Sequence, residues 1–507
     1  MENPAVASSS SSSTASAKQE EFVSACRQGD LAKVNRLISE ARAHSTETLR
    51  EMVDSGDQAG WTPLLLACSD GRDAVVERLL AAGANIRVPN NQGGTPLFIA
   101  CQNGHLDAVE RLLAAGAIIS IPTNGGATPL FVACQNGHLK VVERLLAAVA
   151  NIEKPLENGV TPFYLACANG HLEVVERLLA AGVNIDNSTN TGATPLFVAC
   201  QKGHQEVVER LLASGANIHI PNNQGGTPLF MACQNGHLKV VEKLLAAGAN
   251  IHIPTNTLST PLCIACQNGH QEVVERLLAS GANIHIPTIN GVTPLFMACQ
   301  EGHLEVVKKL LAAGANIDTP MNNGTTPLFM ACQNGHLEVV VRLLAAGVNT
   351  NTKSGTRKPI DIARTNHHFA IVSLLSQPLP VAIVKAHQQH IRDIKAQHEE
   401  AKAHYLLNTQ RSRIHNPASS SISPFSSSAY PSLPAFSPPI SSPDPPASSI
   451  SSICSICLDL PPANAIFLPC FHSGCCQTCA EMLTKCPFCS LAIQKVQKIF
   501  NMAVADR

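Results

Sequence analysis

The dipeptide Thr-Pro returns every 33 residues along most of this chain. Each copy heads a segment of similar sequence, so the repetition extends through the whole unit. A fixed period of this length is typical of stacked supersecondary units, which bury their apolar faces only against their neighbours. The copies stand at Thr62, Thr95, Thr128, Thr161, Thr194, Thr227, Thr260, Thr293 and Thr326.

A single unit predicts two helices. Thr227 suits the N-cap of the first helix, and Pro228 suits its first position, where the missing N–H costs nothing. Gly236 and His237 then break the helix, and Gly248 suits a left-handed cap after the second one. The apolar positions are Leu229, Ala232 and Cys233 on the first helix and Val240, Val241, Leu244 and Leu245 on the second.

These features resemble the ankyrin repeat, whose consensus has T-P-L-H-x-A and then G-H before paired V and L. The resemblance implies a mostly α fold, with a solenoid of nine full repeats plus caps over residues 20–377. The expected caps lie around Phe22–Ile38 and Arg357–Leu375. The histidine that follows T-P-L in the family is replaced here, so we expect apolar stacking between units. The replacements are Leu65, Phe98, Phe131, Tyr164, Phe197, Phe230, Cys263, Phe296 and Phe329.

Two repeats depart from the glycine pattern. Val149 stands where a C-cap glycine is expected, and Leu258 replaces the glycine found two places before threonine in the other units. If the backbone keeps its left-handed geometry, a residue with a Cβ atom costs roughly 1–2 kcal/mol there.

Two sets of histidines recur with the repeat. We interpret the first set as structural hydrogen-bonding groups, since units about 10 Å apart cannot share a metal. The second set, His219, His252 and His285, is predicted on surface loops, with partner contact as the alternative. The Gln-Asn pairs, such as Gln234-Asn235, reflect either recent duplication or recognition of an extended, repetitive partner. The first set is His105, His138, His171, His204, His237, His270, His303 and His336.

Composition narrows the compartment and the partners. The repeat block holds cysteines at matching places, which we expect to be buried, reduced thiols, because stacked helices are too far apart for disulfides. A reducing compartment, cytoplasmic or nuclear, follows. The net charge of -1 does not favour nucleic acid. Met1–Lys18 lacks the apolar core of a secretory signal, and no apolar run is long enough to span a membrane.

The C-terminal region contains eight soft ligands in four close pairs. Such a set can fill two tetrahedral zinc sites, and we predict two zinc ions. Cys475 is surplus, because using it in place of Cys476 would break the spacing to Cys479. The predicted ligands are Cys454, Cys457, Cys470, His472, Cys476, Cys479, Cys486 and Cys489.

This spacing resembles a RING finger. The resemblance implies ubiquitin-ligase activity without a catalytic residue or a covalent ubiquitin intermediate. It also implies docking of a ubiquitin-conjugating enzyme on Ile456, Leu483 and Pro487. Two segments, Leu468-Pro469-Cys470-Phe471-His472 and Gln497-Lys498-Ile499-Phe500, are similar to those in the RINGs of inhibitor-of-apoptosis proteins. This resemblance implies a homodimer through Ile499 and Phe500. Ser490 stands where many RINGs have a ubiquitin-clamping arginine.

The segments between these modules complete the predicted organisation. Residues 1–19 are predicted as a disordered Ser-rich tail, 378–415 as a helix, 416–452 as a flexible Ser/Pro-rich linker and 453–507 as the RING with its tail. The predicted function is a ubiquitin ligase that binds a protein substrate through its repeats. The alternative is a non-enzymatic ankyrin scaffold whose zinc module only dimerises it.

Overall fold

The computed structural model describes residues 7–376, and the side chains from residue 17 onward. This part of the chain consists of 23 α-helices without a β-strand. None of these helices combines the length and hydrophobicity that a bilayer span requires. The helices are α1 (Ala7–Gln28), α2 (Leu31–His44), α3 (Thr46–Asp54), α4 (Pro63–Ser69), α5 (Asp73–Ala81), α6 (Pro96–Asn103), α7 (Leu106–Ala114), α8 (Pro129–Gln135), α9 (Leu139–Ala147), α10 (Pro162–Ala168), α11 (Leu172–Ala180), α12 (Pro195–Lys202), α13 (Gln205–Ala213), α14 (Pro228–Gln234), α15 (Leu238–Ala246), α16 (Pro261–Gln267), α17 (Gln271–Ala279), α18 (Pro294–Glu301), α19 (Leu304–Ala312), α20 (Pro327–Asn334), α21 (Leu337–Ala345), α22 (Pro359–Thr365) and α23 (Phe369–Ser376).

The first helix of every full repeat starts in the predicted way. In α14, the Thr227 hydroxyl accepts a hydrogen bond from the backbone N–H of Phe230 at 3.2 Å, and Pro228 occupies the first position. A threonine side chain at this place typically contributes about 1 kcal/mol to helix stability. The same threonine cap is present in α4 and α6 and in each first helix up to α20. The predicted cap is therefore present at the first helix of all nine predicted repeats.

Packing follows the repeat. Each first helix packs against the first helices of the neighbouring units, and the second helices pack along the stack in the same way. Val240, Val241 and Leu244 of α15 are buried, as the apolar stripe predicts. One continuous apolar core runs from Phe22 to Ile371. The described residues thus form a solenoid whose core is shared between successive repeats.

The residues that replace the family histidine are mostly buried. Phe197 and Phe230 form a small apolar cluster with Ala193 and Met231, and Tyr164 packs against it. Cys263 is fully buried. The apolar stacking predicted between units is present at Tyr164, Phe197 and Phe230, which belong to three successive repeats.

Both terminal regions differ from a full repeat. Helix α1 begins at Ala7, so the prediction of a disordered tail is wrong for residues 7–19. Once the packed part of α1 around Phe22 is formed, adding further helical residues costs little, because helix propagation is easier than nucleation. At the other end, α22 lacks the threonine cap, and Asp361 accepts a hydrogen bond from the backbone of Lys358 instead.

Val149 and Leu258 both adopt the left-handed backbone of the glycines that occupy the same places in other repeats. Their φ angles are 63° and 60°. Val149 is also 86% exposed, so its side chain gains almost no packing in return. Leu258 is half-buried, so its packing contacts offset part of the cost of the left-handed backbone. The exposed Val149 has almost no such contacts.

Candidate functional site

The recurring histidines tie each repeat to the one before it. The Nε2 atom of His270 donates to the backbone carbonyl of Gln234 at 2.9 Å, since a carbonyl oxygen only accepts. The imidazole lies over Gly236, where an added Cβ atom would come within 2.5 Å of Nδ1. This confirms the structural interpretation of the first histidine set. The same bond is made by His105, His138, His171, His204, His237, His303 and His336, and also by His368 in the last cap.

The Gln-Asn pairs use their two amides differently. The side chain of Asn268 donates to the same Gln234 carbonyl at 2.6 Å, so it is part of the junction between repeats. The side chain of Gln234 has no hydrogen-bond partner among the described residues, and it is half-buried. We call the glutamines with this placement in five successive repeats the amide row. The amide row is Gln201, Gln234, Gln267, Gln300 and Gln333.

A second ladder of amides joins the loops that precede the first helices. Asn223 donates from its side chain to the carbonyl of Asn190, and Asn256 donates to that of Asn223, both at 2.9 Å. Glu157 and Ile289 occupy the equivalent place in two repeats, and Ile289 is 59% exposed. Sequence analysis missed this ladder, although asparagines repeating at 33-residue spacing were visible in the sequence.

The second set of histidines lies on the surface, as predicted. His219, His252 and His285 are all exposed. In other repeats an acidic residue stands at this place and accepts a hydrogen bond from a backbone N–H of the next repeat. Asp186 accepts from Asn217, and Asp318 accepts from Asn349, both at 3.0 Å. Among the described residues, the three histidines make no equivalent bond, so these junctions lack one contact.

The cysteines of the repeats are free and buried. Burial raises the pKa of the Cys26 and Cys332 thiols to about 12. The buried thiols between them are also shifted upward, because a thiolate would lose its hydration there. These groups therefore remain protonated and act as small apolar side chains, which agrees with the expectation of reduced thiols.

The predicted zinc ligands, docking residues and tail residues all lie outside the described residues. So do the predicted helix 378–415 and the linker 416–452. Within residues 17–376, no group of three or more acidic, histidine or cysteine side chains is arranged to hold a metal.

Comparison with known families accounts for most of the chain. A family model described as ankyrin repeats matches residues 22–123, 118–189, 182–255, 251–321 and 318–383. This chain belongs to the ankyrin-repeat family. The ankyrin repeat domain of human ASB11 is a similar solved structure, at 31% identity and a TM-score of 0.39, over 44% of this chain and all of that one.

A second model matches the C-terminal region of this ankyrin-repeat protein. Residues 450–496 match a zinc finger of the C3HC4 type, the RING finger. The eight predicted ligands follow the same order, three cysteines, one histidine and four cysteines. The donor set therefore fits zinc, and the chain combines ankyrin repeats with a RING-type zinc finger.

Curated relatives match one module or the other. The protein named E3 ubiquitin-protein ligase XIAP of Xenopus tropicalis is 42% identical over 48 residues, which is 10% of this chain and 10% of that protein. E3 ubiquitin-protein ligase SP1 of Arabidopsis thaliana is 38% identical over 53 residues, 10% of this chain and 15% of that protein. Human protein phosphatase 1 regulatory subunit 27 is 35% identical over 97 residues, 14% of this chain and 63% of that protein. The chain thus spans under two thirds of each of these relatives.

Proposed function

We propose that this protein is a RING-type ubiquitin ligase that binds its protein substrate through the ankyrin solenoid. One observation carries the proposal: a long run of ankyrin repeats shares a chain with a C3HC4 finger similar to those of named ubiquitin ligases. A capture module linked to a delivery module raises the effective concentration of one partner near the other without any new contact.

The solenoid is suited to capture because its junctions repeat. Every full repeat is joined to its neighbour through the same histidine–carbonyl bond and a shared apolar core. Such a stack holds surface groups at regular intervals, so little ordering entropy is lost when a partner binds. In this proposal a substrate bound along the stack is held while ubiquitin arrives from the other module.

The RING region would recruit the conjugating enzyme through Ile456, Leu483 and Pro487. When bound, zinc supplies much of the folding energy of a module that is too small for a large apolar core. The chain itself contributes no nucleophile, so its role is to position the charged conjugating enzyme beside the substrate. Ubiquitin would pass directly from that enzyme to a substrate lysine.

The tail completes the proposal. Ile499 and Phe500 follow the last predicted ligand, Cys489, in a sequence similar to the dimerising tails of inhibitor-of-apoptosis RINGs. A homodimer would bury both side chains and place Phe500 near the ubiquitin held by the partner. That contact would compensate for Ser490, which stands in place of a clamping arginine. We place this activity in the cytoplasm or nucleus, where the free cysteines of the repeats stay reduced.

The function is tested with the full-length protein, ubiquitin, activating enzyme, a panel of conjugating enzymes and ATP. We expect ubiquitin chains on the protein itself, and their loss in Ile456→Ala and Pro487→Ala with both zinc ions retained. Cys475→Ala is the matched control, because Cys475 is not a predicted ligand, and it should keep activity. Absence of transfer with every conjugating enzyme, together with self-association, would favour the non-enzymatic scaffold instead.

The zinc and tail assignments have their own measurements. Elemental analysis of the full chain should give two zinc ions, and Cys454→Ala or His472→Ala should lower that number while the helical signal of the repeats persists. Truncation before Ile499 should keep the zinc and give a monomer with little activity. A wild-type protein that is already monomeric and active in light scattering and discharge assays would contradict the tail assignment.

A further inference from the structure

The amide row presents spare hydrogen-bond donors at a regular interval. Each of its glutamines lies in the same place of a successive repeat, and the stacked helices are about 10 Å apart. Among the described residues, Gln300 alone in the row has a side-chain hydrogen bond, to the neighbouring Glu301 at 2.9 Å. The backbone carbonyls of the row are already used by histidines and asparagines, so its side-chain amides are what a partner would meet.

The interval selects one backbone conformation for that partner. A polyproline II helix has three residues per turn and rises about 3.1 Å per residue, so every third residue faces the same side at about 9 Å. This pitch is close to the repeat spacing. A β-strand presents alternate residues instead, at about 6.6 Å, and it would fall out of phase with the row. Polyproline II also leaves its carbonyls without internal hydrogen bonds, so they can accept from the glutamine amides.

Apolar side chains lie beside the amide row, where such a helix would bind. Ile264, Met297 and Met330 lie one turn before Gln267, Gln300 and Gln333, on the same helical faces, and they are half-buried. Methionine side chains adapt to irregular apolar surfaces such as proline rings. The steps at Gln267, Gln300 and Gln333 therefore each offer one apolar contact and one amide donor, whereas Val198 and Met231, one turn before Gln201 and Gln234, are buried.

Charge defines the two ends of the surface. Lys202 and Glu301 follow Gln201 and Gln300, and both are exposed. The two repeats between them have the uncharged Asn235 and Asn268 at this place. Three repeat intervals separate the lysine from the glutamate, about 30 Å, which corresponds to about nine residues of polyproline II.

We propose that the amide row binds a proline-rich segment of a partner protein in the polyproline II conformation. The segment is uncharged for about nine residues and has an acidic residue at the Lys202 end and a basic residue at the Glu301 end. This inference rests on the proposed function, because it names the class of segment by which a substrate would be captured.

The test uses the full-length protein and fluorescein-labelled 13-residue peptides of proline and serine. One peptide has an acidic residue nine positions before a basic residue, a second has the reverse order, and a third has glycine in place of every proline. Fluorescence anisotropy should show binding of one charge order, and weaker binding of its glycine counterpart. Failure of both proline peptides to bind would overturn the proposal, as would equal binding of the glycine peptide.

Substitutions locate the site. The double variant Gln234→Ala/Gln267→Ala should weaken binding about tenfold, since it removes two hydrogen bonds. Gln102→Ala/Gln135→Ala is the matched control, because Ala168 separates these two glutamines from the row, and it should bind like the wild type. Lys202→Glu should weaken binding of the preferred peptide, and a peptide with a basic residue at that end should recover it. Equal loss in the control pair would contradict the assignment.

Two further outcomes distinguish a partner protein from the chain's own segment as the occupant of the amide row, and peptide binding from ligase function. If the peptide binds only after residues 416–452 are deleted, the chain's own Ser/Pro-rich segment occupies the row, and the proposal of a partner protein is wrong. If the peptide binds while no ubiquitin is transferred, the inference stands and the ligase function fails. Ubiquitin transfer without peptide binding would support the ligase function and contradict the proposed proline-rich segment.

Discussion

The helical side and the loop side of each junction between repeats differ in how strictly they repeat. On the helical side, the bond from His270 to Gln234 recurs along the stack with nearly the same length. On the loop side, the carboxylate of Asp186 accepts a hydrogen bond from the backbone N–H of Asn217 in the next repeat. His252 stands at the equivalent place in another repeat and, among the described residues, makes no such bond. The contrast indicates that the histidine bond is constant along the stack, while the acceptor at the place of Asp186 and His252 is free to vary.

The strongest test of this contrast changes a glycine beneath a junction histidine. Gly236→Ala combines a left-handed φ of 74° with a Cβ atom 2.5 Å from the His270 ring. We expect a loss of about 2–4 kcal/mol in the free energy of unfolding, from backbone strain plus the displaced hydrogen bond. Urea denaturation followed by circular dichroism measures it.

Gly248→Ala is the control for that experiment. Its φ is 89°, yet nothing lies within 4 Å of an added Cβ atom. It should therefore cost only the backbone strain, about 1 kcal/mol. Equal losses for the two alanine variants would show that the histidine contact contributes nothing.

A change of intermediate size concerns the strained valine. Val149→Gly should stabilise the solenoid by about 1 kcal/mol, because it relieves a left-handed backbone and removes a side chain that is 86% exposed. Leu258→Gly should gain less, since Leu258 is half-buried and loses packing. The midpoints of thermal unfolding compare the two, and a larger gain at Leu258 would contradict the strain argument.

The smallest expected effect concerns the loop side. His252→Asp supplies an acceptor for the backbone N–H of Asn283, in the way that Asp186 serves Asn217. We expect a gain of about 0.5 kcal/mol, at the low end for a single hydrogen bond because the site is exposed. The reciprocal Asp186→His should lose a similar amount. Slower amide exchange at residue 283 in His252→Asp would identify the new bond directly.

The sequence predicted the contacts that depend on local order along the chain. Thr227 and Pro228 indicated where α14 begins, and the apolar residues around Leu244 indicated the buried face of α15. The 33-residue period also showed that Val149 stands in the place of a glycine; the sequence left its backbone conformation open, and the structure has a left-handed φ of 63° there.

Contacts between distant residues were harder to predict. The donor–acceptor pair of His270 and Gln234 is separated by 36 residues, and that of Asn217 and Asp186 by 31. The period shows that such residues recur together, but the rotation between units decides which side chain reaches which carbonyl. The start of α1 at Ala7 was missed because serine-rich composition favours disorder, whereas a packed helix extends beyond its buried residues. The predicted zinc ligands and tail residues lie outside the described residues and stay predictions.

The repeated junction also has a genetic consequence. Because His237 and His270 meet equivalent glycines and carbonyls, deleting the 33 residues between them would join two units through the same contacts. Recombination between such similar coding segments can therefore add or remove a whole unit without opening a hole in the core. Each event would change the length of the amide row by one step, or about three residues of a bound polyproline II segment. The fold therefore sets the spacing of the amide row, and the number of repeats sets its length.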